Sequence, residues 1–175
     1  MIAGRAESTS ALTCIIDNQP AHDAYLRWGY TVMGEIKHAT ALFVYGTLQF
    51  DAVLEALLGR IPKRATASAP GWRAAALVGR VYPGLVAAPG YASPGLRLTD
   101  LSRRERGILD AFEDDRYDLR EVELTSGGRG LAYVWPDGDV CGENWDAEQF
   151  KALHLQEYAA RCARIAPRLA AEAGL

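Results

Sequence analysis

The sequence predicts an α+β domain: a small, mixed and largely antiparallel sheet with flanking helices. Three observations support it. The short apolar run "ALFVY" is followed at once by the amphipathic segment "DAVLEALLGR". Two later amphipathic segments carry helix-capping signals at their N-termini. Between those two, "LREVELTSGGRGLAYVW" alternates apolar and polar residues around a glycine turn, which is typical of a β-hairpin.

Composition narrows the class of protein. The chain has 175 residues, of which 49% are hydrophobic, so it can bury a core and is not globally disordered. Its net charge of -3 argues against a nucleic-acid partner, which would require a basic face. No apolar run approaches a membrane span, and "ALTCII" is too short for a signal peptide. We therefore expect a cytoplasmic protein without a membrane partner.

The cysteines and histidines do not predict a metal site or a disulfide framework. Cys14, Cys141 and Cys162 are odd in number and form no CxxC pair. The three histidines show neither HxH nor HExxH spacing. Cys162 lies at helical spacing from Tyr158 and Ile165, which predicts a thiol packed in a helix interface.

The chain divides into a leader, residues 1–38, and a main domain, residues 39–175. In the leader, "ALTCII", "DNQPAHDAYLRWGY" and "YTVMGEI" predict a β-α-β unit. In the main domain, Asp51 is the expected N-cap of the first helix and Gly59 its end. The next helix is expected at "LSRRERGILDAFED", where Ser102 and Glu105 form a capping box.

The last helix is predicted to begin near Trp145, with Asp146 and Gln149 as its cap pair, and to run on without a break. Its expected apolar face consists of Phe150, Leu153, Leu155, Tyr158, Cys162 and Ile165.

The tetrapeptide "YGTL", residues 45–48, ends the first strand and has two interpretations. Gly46 lets the backbone turn sharply and approach a ligand, and the amides that follow could form an anion-binding concavity. The alternative is a plain glycine turn at a strand end, which is the better interpretation of four residues taken alone.

Glu113 directly follows Phe112 at the end of a helical apolar face. A carboxylate beside apolar groups loses solvation, so its pKa is expected to rise towards neutrality, where it can transfer protons. The alternative is an acidic surface turn with Asp114 and Asp115, and for those two residues it is preferred. A divalent-metal site is weaker, because one acidic turn supplies too few ligands.

Residues 65–94 form a Gly/Pro-rich region with strand candidates at "AALVGRVY" and "GLVAA". Tyr82, held by the following Pro83, is equally consistent with a pocket wall and with a core aromatic. Trp135 and Trp145 bracket the loop "PDGDVCGEN" and are expected to be packing residues.

In this order, "FVYGTL", "GRVYPGLV", "LDAFEDDRYDLREVEL" and "AYVWPDGDVCGENWDAEQFKALHLQEY" resemble the gamma-glutamylcyclotransferase-like family, in its avirulence-induced plant-type branch. The resemblance covers about residues 42–162. It implies a β-barrel-like α+β domain, with Glu113 as the catalytic acid/base. The substrate-binding residues are then Tyr45, Gly46, Thr47, Leu48, Tyr82 and Tyr117. The family often has Tyr-x-Arg, whereas here Arg120 is displaced by one position, so it receives no role.

The implied activity releases 5-oxoproline and a free amine from a γ-glutamyl amide, with no metal or organic cofactor. The expected partner is therefore a small γ-glutamyl compound. Which compound it is, and the oligomeric state, are not readable from the sequence. The competing interpretation is a non-catalytic binding or interaction domain on the same fold.

The leader resembles the C-terminal end of a GNAT-type acetyltransferase, on Asn18, Ala21, Tyr25, Gly29 and Tyr30. The glycine-rich pyrophosphate loop has no counterpart before Thr13, so acetyl transfer by this chain is disfavoured. The leader is interpreted as a truncated acetyltransferase-like fragment. The alternative is an N-terminal helix that packs on the main domain.

Overall fold

The computed structural model describes residues 41–113, 115–125, 127–136 and 138–173. The predicted leader, including its β-α-β unit and its acetyltransferase-like residues, lies outside the described residues and stays a prediction.

In the described residues, six strands form one mixed, half-barrel sheet: β1 Leu42–Val44, β2 Arg64–Leu77, β3 Gly84–Leu98, β4 Asp118–Glu123, β5 Arg129–Val134 and β6 Val140–Asn144. Their order in the sheet is β4-β5-β1-β3-β2-β6. Of the five pairings between these strands, that of β1 with β5 is parallel and the other four are antiparallel. The predicted α+β class with a largely antiparallel sheet is confirmed.

A 3-10 turn and four α-helices accompany the sheet in the described part of the chain. The turn is Thr47–Gln49, and the helices are α1 Asp51–Leu58, α2 Arg103–Phe112, α3 Ala147–Leu153 and α4 Leu155–Glu172. The capping box of Ser102 and Glu105 and the N-cap of Asp146 form as predicted. Gly59 ends α1 in the left-handed conformation, at φ 72°. Asp51, however, is the first helical residue, and the N-cap position belongs to Phe50.

Two hydrophobic clusters are built from opposite faces of the sheet, because side chains alternate along a strand. From β1, Leu42 and Val44 join the cluster that includes the helical residues Leu54 and Leu109. Phe43 belongs to the second cluster, with residues of β2, β3 and β5. The short strand β1 is therefore buried on both faces and fixes the start of the loop that follows it.

The Gly/Pro-rich region differs most from expectation. Short strands were predicted there, whereas the structure has two long antiparallel strands, β2 and β3. These strands pair from Arg64↔Leu98 to Ala75↔Gly84 with one irregularity. "GRVY" belongs to the turn between them rather than to a strand. The loop expected between Trp135 and Trp145 contains β6, which pairs with the end of β2. Backbone pairing across the sheet has overridden the weak strand propensities of alanine, glycine and proline.

The predicted continuous last helix is wrong at one residue. His154 leaves the helical conformation and separates α3 from α4. Leu153, expected on the apolar face, is 66% exposed because the break turns it outwards. Phe150 and Cys162 are buried as predicted.

Glu105 gives a prediction about acid stability. Its carboxylate accepts hydrogen bonds from Arg60 Nε at 2.5 Å and Arg60 Nη2 at 2.8 Å, which lower its pKa from 4.5 to about 2. Because the folded pKa is depressed, this stabilisation is present above pH 4.5 and is lost as the pH falls towards 2. Glu105→Gln should therefore be less stable at pH 7 and should lose less stability across that window.

Urea unfolding at a series of pH values measures this effect. Glu143→Gln, at an exposed position in β6, is the matched control and should follow the parent protein. An unchanged pH profile in Glu105→Gln would show that the ion pair with Arg60 contributes nothing to acid stability.

Candidate active site

One cavity of about 190 Å³ collects every residue that the sequence analysis placed in the site. Its lining includes residues 45–48, Tyr82, Glu113 and Tyr117. It also includes residues of α4 that the sequence analysis assigned only to the hydrophobic core. The cavity is smaller than the roughly 300–1,000 Å³ typical of sites for drug-sized ligands.

The loop at residues 45–48 leaves β1 and turns at once into the 3-10 helix. The first hydrogen bond of that turn runs from Gln49 N to Gly46 O at 3.1 Å. The amides of Thr47 and Leu48 precede it, so the turn itself does not use them. A Cβ on Gly46 would lie 2.8 Å from Pro83 Cγ, closer than carbon atoms can approach. Glycine is therefore required here by the contact with Pro83.

Tyr45 holds this end of the sheet together. Its hydroxyl donates to Tyr133 O at 2.6 Å and accepts from Leu85 N at 3.1 Å. The side chain is only 6% exposed, and burial raises the pKa of the hydroxyl well above its ordinary value. The phenol is therefore neutral, and its two backbone partners fix its orientation.

Glu113 enters the cavity because α2 ends directly before it. Its amide still donates to Leu109 O at 3.2 Å, whereas its backbone is extended, with φ −69° and ψ 150°. Leu109 is fully buried, and Phe112 packs edge-on against Tyr158 with ring centroids 6.4 Å apart. The buried face of α2 thus delivers the carboxylate to the cavity wall.

The turn between β2 and β3 forms another wall. Tyr117 donates to Pro83 O at 2.6 Å, and Trp145 Nε1 donates to Val81 O at 2.8 Å. Tyr82 is half-buried in the cavity wall and is hydrogen-bonded by the Arg80 guanidinium. The turn that carries Tyr82 and Pro83 is therefore anchored from two sides.

Trp135 and Trp145 act as packing residues, as the sequence predicted. Trp135 packs edge-on against Tyr117 at 5.0 Å, and Trp145 lies 5.4 Å from the ring of Phe150. Trp135 supports Tyr117 of the wall, Trp145 anchors the turn that carries Tyr82, and neither tryptophan is among the residues that line the cavity.

Four tyrosine hydroxyls lie within electrostatic reach of Glu113: Tyr45, Tyr117, Tyr133 and Tyr158. Burial is the largest cause of the raised pKa in each, and the charge of Glu113 raises all four further. The pKa of Tyr158 rises to about 12. These phenols are neutral near pH 7, and three of them donate to other groups: Tyr45 to Tyr133 O, Tyr117 to Pro83 O and Tyr133 to Asp110 Oδ1.

Helix α4 supplies a wall that the sequence analysis did not assign to the site. It contributes Tyr158, Arg161, Cys162 and Ile165. Tyr158 and Thr47 both line the cavity, and the Thr47 side chain lies close enough to Tyr158 to oppose part of the rise in the pKa of its phenol, so the loop lies beside this helix. The available signal was that a tyrosine and an arginine interrupt an otherwise apolar helical face.

Cys162 lines the cavity but is not suited to act as a nucleophile. The residue is 1% exposed, and burial raises the pKa of its thiol to about 11, partly opposed by Arg161. Since the thiolate is the reactive form, this thiol is inert near neutral pH. The prediction of a packed thiol is confirmed.

In the described ranges, no three or more His, Cys, Asp or Glu side chains come together in a group that could hold a metal ion. Nor does any helix in them have the length and apolar character needed to cross a bilayer.

The sequence of this domain, including the loop, matches a known protein family. The model of the family described as "Gamma-glutamyl cyclotransferase, AIG2-like" matches residues 42–152. The chain belongs to this family. Membership confirms the resemblance found in the sequence, and the matched range contains the loop at residues 45–48 and Glu113.

Curated members of the gamma-glutamyl cyclotransferase, AIG2-like family are similar over most of their length. AIG2-like protein C of Arabidopsis thaliana is 38% identical over 130 residues, which cover 70% of this chain and 75% of that protein. AIG2-like protein D of the same plant is 35% identical over 127 residues, covering 67% and 83%.

Solved structures agree on the architecture. One solution structure from Arabidopsis thaliana is 29% identical, with a TM-score of 0.54, and covers 72% of this chain and 89% of its own. A second has a TM-score of 0.56 at 24% identity, covers 72% and 81%, and supports the fold alone.

Proposed function

We propose that this protein converts γ-glutamyl amides into 5-oxoproline and a free amine. The observation that carries the proposal is the convergence of Glu113 and the loop at residues 45–48 on one small cavity. The family description, which names gamma-glutamyl cyclotransferase, supports the reaction class. A cavity of about 190 Å³ suits an amino-acid head group better than a large ligand.

The reaction uses a nucleophile that the substrate itself carries. Glu113 accepts a proton from the α-ammonium, and the resulting amine attacks the γ-carbonyl carbon to form the new C–N bond of a five-membered ring. Glu113 returns its proton to the leaving nitrogen, the tetrahedral oxyanion collapses and the original amide C–N bond breaks. The ring nitrogen then gives up its extra proton through Glu113 to the free amine, which departs as an ammonium. One carboxylate makes all of these transfers, so the reaction consumes no cofactor.

The cavity contributes mainly alignment. Holding the chain folded, with its amine near the γ-carbonyl, can contribute about 7–11 kcal/mol in the ideal case. The amides of Thr47 and Leu48 are the proposed donors to the oxyanion. The neutral phenols of Tyr117 and Tyr158 orient the head group without competing with Glu113 for the proton.

Incubation with a panel of γ-glutamyl dipeptides and γ-glutamyl amines tests the proposal. We expect 5-oxoproline and the free amine in equal amounts, measured by liquid chromatography with mass detection. Substrate titration should give saturation, since the cavity is a discrete site. Absence of 5-oxoproline from every compound, in a sample shown to be folded, would contradict the proposal and favour the non-catalytic binding domain.

A further inference from the structure

Two opposite charges line the cavity. Among the described residues of its wall, Glu113 is the only acidic residue and Arg161 the only basic one. Glu113 has a role in the proposed reaction, whereas Arg161 has none. Arg161 is an exposed residue that also lines the cavity, so its guanidinium brings a fixed positive charge and five donors to a wall that solvent can reach.

The position of Arg161 in α4 places it beside the loop. It lies three residues after Tyr158, on the same helical face, and directly before the buried Cys162. Tyr158 and Thr47 of the loop both line the cavity, and the Thr47 side chain is close enough to affect the pKa of Tyr158. Since residues three apart on a helix are neighbours, Arg161 lies on the side of the cavity where Thr47 contacts the helix.

The N–H groups of the Arg161 guanidinium are available to hydrogen-bond a ligand. In the described part of the chain, no side chain is hydrogen-bonded or ion-paired to it. Arg168, further along the same helix, instead donates to Glu172 at 2.7 Å. Unlike Arg168, Arg161 therefore has no carboxylate partner within the described part of the chain.

The other side of the loop at residues 45–48 contacts the turn between β2 and β3. Gly46 abuts Pro83, and Tyr82 continues that wall. The loop therefore has α4 on one side, with its cation, and the turn between β2 and β3 on the other.

We propose that Arg161 binds the α-carboxylate of the γ-glutamyl substrate, an inference that rests on the proposed function. An α-amino acid head group carries an ammonium and a carboxylate on one carbon, and the cavity offers one anion and one cation to match. The planar guanidinium fork binds a carboxylate through two parallel hydrogen bonds. Arg161 thereby selects substrates whose α-carboxylate is free.

A substrate pair isolates this contact. γ-Glutamyl ethylamide has the α-carboxylate, whereas 4-aminobutanoyl ethylamide lacks it and closes to 2-pyrrolidone by the same bond changes. Neither compound has a carboxylate in its leaving group. We expect the parent protein to prefer the glutamyl compound by about 10- to 100-fold in kcat/KM, the range for a charge-assisted hydrogen bond.

The variants then separate binding from structure. Arg161→Gln should lose that preference by turning over γ-glutamyl ethylamide more slowly, with little change on the 4-aminobutanoyl compound. Arg161→Lys should recover part of it, since lysine keeps the charge without the fork. Arg164→Gln, an exposed arginine on the same helix, is the matched control and should resemble the parent protein.

Three outcomes would overturn the inference. Equal losses on both ethylamides would make Arg161 a structural residue. An unchanged preference in Arg161→Gln would remove it from recognition. A loss confined to γ-glutamylalanine, with γ-glutamyl ethylamide unaffected, would assign Arg161 to a carboxylate in the leaving group.

Failure of the proposed function is distinguishable. If the parent protein forms no ring product from any compound, calorimetric titration with γ-glutamyl ethylamide replaces the kinetic readout. Binding that Arg161→Gln abolishes and Arg164→Gln retains supports the inference for a non-catalytic protein. Equal binding by parent and Arg161→Gln, or none by either, overturns it.

Discussion

Glu113→Gln is expected to lower kcat for 5-oxoproline release by about 100- to 10,000-fold, the usual contribution of general acid–base catalysis. Glutamine keeps the shape and polarity of the side chain but cannot accept the proton of the α-ammonium or return it to the leaving amine. The dissociation constant for γ-glutamyl ethylamide should change less than kcat, because glutamine can still accept a hydrogen bond from the α-ammonium. Kinetics and calorimetry on the same preparation measure both quantities.

The control for this variant is Asp115→Asn, which changes a nearby exposed carboxylate and should retain parent activity. Thermal unfolding should show Glu113→Gln to be folded, since the residue lies beyond the end of α2. Near-parental turnover in Glu113→Gln would contradict the assigned mechanism and move the proton transfers elsewhere.

Gly46→Ala is expected to reduce kcat/KM by about 100-fold, the order of loss that follows a displacement of about 1 Å in a reacting geometry. The added Cβ would lie 2.8 Å from Pro83 Cγ and 3.1 Å from Pro83 Cδ, so the loop or the turn between β2 and β3 must move. Overpacking of this kind also destabilises a fold, typically by about 1–3 kcal/mol. Steady-state kinetics and urea unfolding separate the two effects.

Gly142→Ala is the matched control, because a Cβ at that position meets no atom within 4 Å and its backbone is not left-handed. It should leave both activity and stability near the parent values. Full activity in Gly46→Ala would show that the contact between the loop and Pro83 does not position the substrate.

The tyrosines and Glu113 have different roles in the proposed reaction. Burial and the charge of Glu113 raise the pKa values of Tyr45 and Tyr117, so neither gives up its proton near pH 7. The burial of Cys162 likewise keeps its thiol protonated. Glu113 remains the group in the cavity wall best placed to exchange protons, which is why its substitution should have the largest effect on turnover.

Some features could be predicted from the sequence because they depend on residues that are close together in the chain. The capping box of Ser102 and Glu105 closes within one helical turn, and Gly59 ends α1 through its own backbone conformation. The hairpin of β4 and β5 forms around a glycine turn. Local sequence is sufficient for such elements, because the interacting groups are only a few residues apart.

Other features were not readable, because distant partners decide them. Much of β2 and β3 is alanine, glycine and proline, yet the two strands extend over most of their length by pairing with each other. The segment that forms β6 was predicted to be a loop, and it is a strand because it pairs with β2. Strand formation depends on what lies alongside, and this information is absent from the local sequence.

The sequence by itself determined the two motifs of the site: the glycine turn that leaves β1 and the glutamate that ends a buried helical face. Only the tertiary structure decided that both face one cavity with Tyr158 and Arg161 of α4. A motif can be recognised from neighbouring residues, whereas a cavity exists only where elements far apart in the chain pack and leave space between them. The position of Arg161 beside the loop could therefore be found only after the helix was in place.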